Sequence, residues 1–271
     1  MTQLQNAVVL ITGAAGGFGQ ELTQQLLKIG SRLILTDRDK TVLQQQAEIL
    51  WKEAAAGEIL AFLEADLASR AGCELLYQQV RSLNVPVDVL INNAGIAVFG
   101  RTDEVPIDQW EQLMQVNLVA PMRLSSWFLA EMIDRQKGHI VNISSMAGWT
   151  SRAGLSHYVA SKFGLRGFSE SLFDEARDHQ VKVTTVYPFF SRTPILQCAQ
   201  HGTLAQQNNA PPDRLITNPV AVMRQTIQAI QQDKREVFPD RIGYTIHLFK
   251  RYFPKFVDWI SDRMLKPQRK L

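Results

Sequence analysis

Six short apolar runs alternate with longer amphipathic stretches along most of this chain, and that alternation limits the folds open to it. The first run, residues 7–12, is almost wholly apolar, which predicts a strand with both faces buried. Buried strands that alternate with helices form a parallel sheet with right-handed crossovers. We therefore predict an α/β fold with a doubly wound, Rossmann-like parallel sheet and helices on both faces. The predicted strands are 7–12, 32–36, 59–63, 87–91, 139–143 and 181–187, and the predicted helices are 21–29, 41–55, 74–83, 110–133, 158–177 and 219–231.

Length and composition indicate one large domain with an appendage. The chain has 271 residues, of which 45% are hydrophobic and 20% charged, as is typical of a globular protein. We assign residues 1–240 to the α/β domain and residues 241–271 to a basic, aromatic-rich helical extension. Residues 191–218 are rich in Gln, Asn and Pro, which predicts a mobile insertion. Because Cys73 and Cys198 are the two cysteines, we predict neither a disulfide framework nor a metal site.

Charge is distributed unevenly along the chain. Residues 241–271 carry eight Lys and Arg against two Asp, a net charge of +6, whereas the first 240 residues have a net charge of −3. We therefore expect no nucleic-acid partner, and we expect any anionic partner to meet the tail. The sequence shows no secretory signal pattern and no apolar run long enough to span a bilayer, which predicts a cytoplasmic protein.

The tail itself shows a helical pattern. Its apolar residues recur at steps of three and four, which predicts an amphipathic helix, and Pro254 predicts the start of a second helix. Three roles remain open for this extension: a dimer-interface or substrate-lid element, peripheral contact with an anionic membrane, or a site for a protein partner. The apolar residues of the stripe are Ile242, Ile246, Phe249, Phe253, Phe256 and Ile260.

A glycine-rich segment follows the first predicted strand. Residues 12–19 contain Gly13, Gly17 and Gly19, with Phe18 between the last two, and a predicted helix comes next. Glycines let the backbone turn tightly and approach a ligand closely. The helix N-terminus behind such a turn offers unpaired N–H groups and a positive dipole end. The segment therefore predicts a site for the pyrophosphate of a dinucleotide, although a plain strand-to-helix turn would also explain one glycine cluster.

An acidic residue ends the second predicted strand. Asp37 lies eighteen residues after Gly19, where a carboxylate can accept hydrogen bonds from both ribose hydroxyls of NAD and repels a 2′-phosphate. Arg38 follows directly, and its guanidinium could instead pair with the 2′-phosphate of NADP. We predict NAD as the preferred cofactor on the strength of Asp37, with NADP possible through Arg38.

Three side chains predict a reacting centre. Tyr158 and Lys162 lie four residues apart, on one face of a predicted helix. A nearby ammonium favours the phenolate, so we expect it to lower the tyrosine pKa and to make Tyr158 a workable general acid/base. Ser145 follows the fifth predicted strand, at the sheet edge where ligands bind in such folds, and it could hold a substrate oxygen.

These motifs occur along the chain in the order typical of one family, and over roughly residues 7–240 the sequence resembles the short-chain dehydrogenase/reductases. Further matching pieces are Asp66-Leu67, Asn92-Asn93-Ala94-Gly95, Asn117 and the segment from Pro188 to Thr193. The resemblance implies a catalytic set of Asn117, Ser145, Tyr158 and Lys162, in which Asn117 holds a water that links Lys162 to solvent. It also implies cofactor contacts by Lys162 at the nicotinamide ribose, by Asp66 and Leu67 at the adenine, and elsewhere by Asn93, Ala94, Gly95, Pro188 and Thr193.

One departure from the family pattern concerns the substrate side. The family usually has glycine after the proline of the sixth strand, but this chain has Pro188-Phe189-Phe190. The added bulk makes the Thr193 contact with the cofactor less secure and predicts Phe189 and Phe190 as substrate-binding residues. An apolar pocket wall is predicted from Val98, Phe99, Met146, Trp149, Leu155, His157, Phe189, Phe190 and Leu196.

The sequence thus predicts an oxidoreductase that transfers a hydride between a nicotinamide cofactor and a hydrophobic alcohol or carbonyl compound. Two alternatives stay open: an NADPH-dependent carbonyl reductase, and a catalytically silent nucleotide-sensing protein on the same fold. A homo-oligomer is expected because symmetric oligomers are common among soluble enzymes.

Overall fold

The computed structural model describes residues 1–52, 56–206, 211–253 and 255. Its centre is a seven-stranded sheet, and every strand pair in it is parallel. The strands of this sheet are β1 (Val8–Thr12), β2 (Arg32–Asp37), β3 (Glu58–Glu64), β4 (Val89–Asn92), β6 (Gly138–Ile143), β7 (Val181–Val186) and β9 (Glu236–Val237). Their order in the sheet, β3-β2-β1-β4-β6-β7-β9, confirms the predicted doubly wound topology.

Two apolar cores lie on opposite faces of the sheet. Side chains of the first two helices and the eighth pack on one face, and side chains of the third, fifth and sixth pack on the other. The central strands β1 and β4 have both faces buried, as their continuous apolar runs predict. The helices are α1 (Gly17–Ile29), α2 (Lys40–Lys52), α3 (Arg70–Ser82), α4 (Ile107–Met114), α5 (Ala120–Asp134), α6 (Ser156–Ala176), α7 (Gly202–Ala205), α8 (Pro219–Gln231) and α9 (Arg241–Tyr252).

The six predicted strands are confirmed, and three further strands were missed. Strand β9 is two residues long, too short to show an apolar period. Strands β5 (Val98–Gly100) and β8 (Ala199–His201) form a small parallel sheet of their own. Because β8 and α7 lie inside 191–218, that segment is not a plain loop: its described residues form short elements tied to the rest of the domain.

The predicted helix 110–133 is divided in the structure. A π-helical stretch, Gln115–Val119, separates α4 from α5 and contains Asn117. A π-helical turn rotates the following side chains relative to a regular α-helix, and such turns occur often at functional sites. Simple apolar periodicity gives no signal for this interruption.

The first part of the tail is helical, as predicted, but its buried face is different. Gly243 and His247 are the buried residues of α9, whereas Phe249 and Phe253 of the predicted stripe are exposed. The predicted roles of Pro254, Phe256 and Ile260 lie outside the described residues. No described helix combines the length and the apolar character needed to cross a membrane.

Candidate active site

The site forms where the chain order of the sheet reverses. Strand β1 has β2 on one side and β4 on the other, so the connections leaving β1 and β4 diverge and open a crevice at their carboxyl ends. The glycine turn, Ser145 and the segment after β7 all follow strand ends at this edge. The topology therefore brings the sequence motifs together, although they are far apart along the chain.

The glycine turn requires its glycines for steric reasons. Gly13 has a φ of +64°, and a Cβ there would lie 2.7 Å from the Ala94 Cα. A Cβ on Gly19 would lie 2.6 Å from the Ala14 Cα, again a backbone atom that cannot rotate away. The turn is thus packed so closely that larger residues would displace the backbone.

Hydrogen bonds brace this turn against the end of β4. The Asn93 side-chain amide donates to the carbonyl oxygens of Thr12 and Gly13, both at 2.9 Å. The Thr12 hydroxyl oxygen accepts from the backbone N–H groups of Asn93 at 3.0 Å and Ala94 at 3.1 Å. Of the residues predicted to line the cofactor here, Asn93 therefore shapes the turn with its side chain.

The predicted adenosine residues lie at or just after the carboxyl ends of β2 and β3, on the same edge of the sheet. The Asp37 carboxylate accepts from the N–H of Ala15 in the glycine turn at 3.0 Å, and Arg38 beside it is exposed. Asp66 is exposed and accepts from the Ala68 N–H at 3.0 Å. The Leu67 side chain is buried in the core, so its backbone is the part that can face an adenine. Phe18 packs against the opposite core.

Ser145 lies at the start of a 3₁₀ turn, Met146–Gly148, directly after β6. Its hydroxyl oxygen accepts from the Ala147 N–H at 3.0 Å, which leaves the hydroxyl proton available for another acceptor. The next residue, Met146, donates its N–H to the Pro188 carbonyl at 2.9 Å. This bond ties the serine segment to the chain that follows β7.

Tyr158 and Lys162 project from the first turns of α6. The Lys162 ammonium donates to the Ile143 carbonyl at 3.0 Å and lies 5.7 Å from the centre of the Tyr158 ring. The phenol packs against the small core cluster of Val98, Val105 and Leu113. The structure thus brings Ser145, Tyr158 and Lys162 to one place, as predicted.

The electrostatics of this group differ from the sequence-based prediction. Burial raises the pKa of Tyr158 to about 12, and the hydrogen bond with Ser145 lowers it by a smaller amount. Burial also lowers the pKa of Lys162 to about 8. Desolvation therefore dominates the phenol and raises its pKa overall, opposite to the direction expected from the ammonium alone, and that ammonium is bound to the Ile143 carbonyl.

Asn117 is buried in the π-helical stretch, and both the oxygen and the nitrogen of its side-chain amide are hydrogen-bonded. Its oxygen accepts from the Ile96 N–H at 2.8 Å, and its nitrogen donates to the Ile96 carbonyl at 2.8 Å and to the Ser161 hydroxyl at 3.2 Å. A Cβ on Gly95 would lie 3.5 Å from the Asn117 Oδ1 and 3.7 Å from the Lys162 Nζ. The glycine therefore leaves space between these two polar atoms.

Sequence reasoning missed a buried polar chain behind the site. The Asn92 amide donates to the Asn142 Oδ1 at 2.8 Å, and the Asn142 amide donates to the Ser169 hydroxyl at 2.8 Å. These bonds join β4, β6 and α6; Asn93 follows β4, Ser145 follows β6 and Tyr158 lies on α6. The available signal was an asparagine near the end of each of two neighbouring, mostly apolar strands.

The substrate side is built from the segment after β7. A Cβ on Gly17 would lie 2.7 Å from the Thr193 methyl carbon, so Thr193 packs directly over the glycine turn. At its other end the segment begins at Pro188, next to the serine turn. Phe189 and Phe190, half-buried and 4.7 Å apart between ring centres, therefore lie on a bridge between the two predicted halves of the site.

Cys198 was not predicted as a site residue. It precedes β8, is partly buried, and lies near enough to Tyr158 for a negative charge on its sulfur to raise the phenol pKa. Its position depends on the pairing of β8 with β5, which no local pattern indicates.

Several predicted pocket residues have structural contacts instead. Val98, Phe99 and Met146 are buried. Trp149 faces α9, where its ring contacts His247 at 4.2 Å and the Arg166 guanidinium at 3.2 Å. The predicted wall is therefore narrower than the sequence indicated.

Comparison with known proteins gives a consistent result. The sequence model of the family described as short chain dehydrogenase matches residues 7–203. Epidermal retinol dehydrogenase 2 of Homo sapiens is 32% identical over 250 residues, which cover 91% of this chain and 78% of that protein. Acetoacetyl-CoA reductase of an Acinetobacter strain is 31% identical over 198 residues, covering 71% of this chain and 77% of that protein.

Solved structures share the whole architecture. A short-chain dehydrogenase from Sphingobium yanoikuyae, in complex with NADPH, is 25% identical, with a TM-score of 0.77 and 98% of each chain covered. A short chain dehydrogenase/reductase from Burkholderia phymatum, in complex with NAD, has a TM-score of 0.80 at 22% identity and covers 94% of this chain and 96% of that chain. At 22% identity, the similarity to the Burkholderia phymatum structure shows a shared fold and nothing more.

Proposed function

The chain belongs to the short-chain dehydrogenase family of oxidoreductases, and on this premise we propose that it interconverts a hydrophobic alcohol and its carbonyl compound with a nicotinamide cofactor. The observation that carries the proposal is the convergence of Ser145, Tyr158 and Lys162 beside the glycine turn. In this arrangement a proton donor and a bound substrate oxygen can meet at the mouth of a dinucleotide crevice.

The residues of the crevice fit a dinucleotide. The cradle is formed by Gly13 and Gly19, where a Cβ would meet backbone, and the α1 N-terminus lies directly behind it. Asp37 would hold the adenosine ribose, Asp66 and the Leu67 backbone the adenine, and Lys162 the nicotinamide ribose. When bound, the cofactor supplies the hydride acceptor or donor.

The protein supplies the proton. Tyr158 holds its proton at neutral pH, because its pKa is raised to about 12, so it is prepared to donate to a carbonyl oxygen during reduction. Ser145 would donate a hydrogen bond from its hydroxyl group to the same substrate oxygen and so stabilise the negative charge that develops there. During oxidation the phenol would first release its proton toward solvent, and the resulting phenolate would take up the proton of the alcohol.

Proton exchange with solvent would pass through Lys162 and Asn117. The space beside Gly95 separates their polar atoms and suits a bridging water. With a pKa of about 8, Lys162 can carry a proton or release it near neutrality. Asn117 would hold the water, and its own amide is fixed by Ile96.

We propose NAD as the preferred cofactor. Asp37 lies against the glycine turn, where its carboxylate would accept from the ribose hydroxyls, whereas Arg38 is exposed and free to turn toward a 2′-phosphate. Dissociation constants for NADH and NADPH decide the point. Asp37→Ala should weaken NADH and spare NADPH, and tighter binding of NADPH by the unchanged protein would contradict the proposal.

A panel assay tests the reaction itself. The protein is incubated with reduced cofactor and carbonyl compounds, or with oxidised cofactor and alcohols, that range from small and polar to large and apolar. We expect cofactor-dependent turnover that favours the apolar members, because Phe189 and Phe190 supply the wall. Turnover of only polar, charged compounds would contradict the substrate class. Tight cofactor binding without any turnover would favour the nucleotide-sensing alternative.

Two partners are proposed on surface features. Exposed Met122 and Phe163 on α5 and α6 support a homo-oligomer, which sedimentation of Phe163→Asp beside the unchanged protein would test. On α9 and directly after it, Tyr244, Tyr252 and Phe253 are exposed, and Arg251 lies beside the Tyr252 ring, which supports peripheral contact with an anionic membrane. Equal sedimentation with anionic and with zwitterionic vesicles would contradict that contact.

A further inference from the structure

Asp240 occupies the N-cap position of α9 but does not cap the helix. Aspartate is among the best N-cap residues, because its carboxylate can accept from the first free N–H groups of the helix. Here the side chain makes no capping hydrogen bond. Its Oδ2 accepts instead from the N–H of Phe189 at 2.8 Å. The carboxylate is therefore directed away from its own helix and toward the segment that carries the aromatic wall.

The surroundings show that this contact is built into the fold. Asp240 is buried, with 6% of its surface exposed, and burial raises the pKa of its carboxyl group. A buried carboxylate is costly unless it is hydrogen-bonded, so the bond to Phe189 is one that the fold must keep. Thr217 also contacts the carboxylate.

A second anchor holds the adjacent residue. The Phe190 carbonyl accepts from the Thr217 N–H at 2.7 Å and from the Thr217 hydroxyl at 3.0 Å. Both anchors, residues 217 and 240, lie beyond the stretch 7–203 that matches the family. The position of the aromatic pair is thus fixed from outside the stretch that the family's sequence model matches.

Helix α9 also contacts the wall through a glycine. A Cβ on Gly243 would lie 3.2 Å from the Met146 Cγ and 3.7 Å from the Phe189 Cβ. Met146 follows Ser145 directly. The first turn of α9 therefore lies against both the serine segment and the aromatic segment, and the absence of a side chain at 243 permits that approach.

We propose that Asp240 is a positioning residue for substrate selectivity: by holding the Phe189 N–H from the start of α9, it sets where the Phe189–Phe190 wall lies relative to Ser145 and Tyr158. It acts through the Phe189 backbone and not on the reacting atoms. Its effect is on which carbonyl compounds fit, and we expect the cofactor crevice, where Asn93 braces the glycine turn separately, to keep its affinity.

The test compares Asp240→Ala with Asp240→Asn on a small and a large apolar ketone. This inference rests on the proposed function, so the unchanged protein is assayed first. In Asp240→Ala the ratio of kcat/KM for the two ketones should change by about 10-fold, since a hydrogen bond to a buried charged acceptor is lost. Asp240→Asn keeps an acceptor oxygen and should restore most of the original ratio. Cofactor dissociation constants should stay the same in both variants.

Two further variants separate positioning from general damage. Asp178→Ala removes an exposed aspartate that pairs with Arg177, and it should leave the ratio unchanged. In a Phe189→Ala background, Asp240→Ala should change the ratio much less, because one of the two rings that it positions is gone. An unchanged ratio in Asp240→Ala, or an equal change in the Phe189→Ala background, would overturn the proposal.

A readout that needs no turnover keeps the two proposals distinct. Amide hydrogen exchange in the peptide that contains Phe189 should accelerate in Asp240→Ala and remain slow in Asp178→Ala. If the unchanged protein shows no turnover, the proposed reaction fails while this measurement still reports on the anchor. If exchange at Phe189 is equal in all three proteins, the positioning role is contradicted whatever the activity.

Discussion

The cofactor side and the substrate side of the site are held in different ways. On the cofactor side, neighbouring motifs brace one another: Thr12 and Asn93 exchange hydrogen bonds, and Ala94 packs on Gly13. On the substrate side, residue 240 holds Phe189 by one hydrogen bond and residue 217 holds Phe190 by two. The first side is held by several hydrogen bonds and close contacts among its own motifs, and we expect the second to change by substitution at residue 240 or 217 without disturbing the first.

The largest effect is expected from a substitution in the glycine turn, which should damage the cofactor side of the site. Gly19→Ala places a Cβ against the Ala14 backbone, which cannot move without reshaping the turn. We expect cofactor affinity to fall about 100-fold or more, since overpacking against backbone costs about 3 kcal/mol. Cofactor titration checks this. An unchanged dissociation constant would show that the turn is not rigid.

Alkylation of Cys198 should act on the substrate side alone. Its thiol is partly buried near Tyr158, whereas Cys73 is fully buried, so a small maleimide should modify Cys198 first, and slowly, because burial raises the thiol pKa. We expect turnover to fall about 10-fold, from lost space at the reacting centre, with cofactor binding retained. In Cys198→Ser, treatment with the maleimide should leave turnover unchanged. Full activity after stoichiometric modification would place Cys198 outside the substrate path.

Acidic pH should lower the folding stability of the central sheet, which supports both sides of the site. His139 on β6 is fully buried between Thr2 and Thr184, and burial lowers its pKa from 6.5 to about 4. Because the unfolded chain binds this proton at higher pH, the stability that a neutral His139 contributes is fully present above about pH 6.5. That contribution falls by about 1.4 kcal/mol per pH unit between there and pH 4. Urea unfolding of the protein and of His139→Gln at pH 7, 6 and 5 measures the slope, and equal slopes would contradict this assignment.

The smallest effect is expected from a glycine substitution that serves as a control for Gly19→Ala. A Cβ on Gly167, in the middle of α6, meets nothing within 4 Å, unlike one on Gly19. Gly167→Ala should stabilise the protein by up to about 1 kcal/mol through helix propensity and leave cofactor affinity unchanged. Thermal unfolding checks it, and destabilisation would reveal a contact that α6 makes beyond this chain.

The same contrast explains what the sequence could predict. Strands β1 to β4, the glycine turn, and the Tyr158–Lys162 spacing follow from apolar runs, glycine and helical period, all of which are local. The polar contacts of Asn93 and Asn117 were harder, because their partners are backbone atoms of other segments. Asp240 reaches Phe189 across 51 residues, and no local pattern encodes that.

Burial also limited the prediction of chemistry. The spacing of Tyr158 and Lys162 indicates proximity, but it carries no information on desolvation. In the structure desolvation raises the pKa of Tyr158 and lowers the pKa of Lys162, so the two pKa values move apart. The spacing therefore predicted that the two side chains lie close together, whereas burial reverses the direction expected for the tyrosine pKa.

The central claim is that the Tyr158 oxygen moves the proton. Tyr158→Phe removes that oxygen and keeps the ring that packs against the Val98 cluster. We predict that its turnover falls at least about 100-fold on any substrate the unchanged protein accepts, while the cofactor dissociation constant and thermal stability stay the same. Turnover within a few-fold of the unchanged protein would contradict the account.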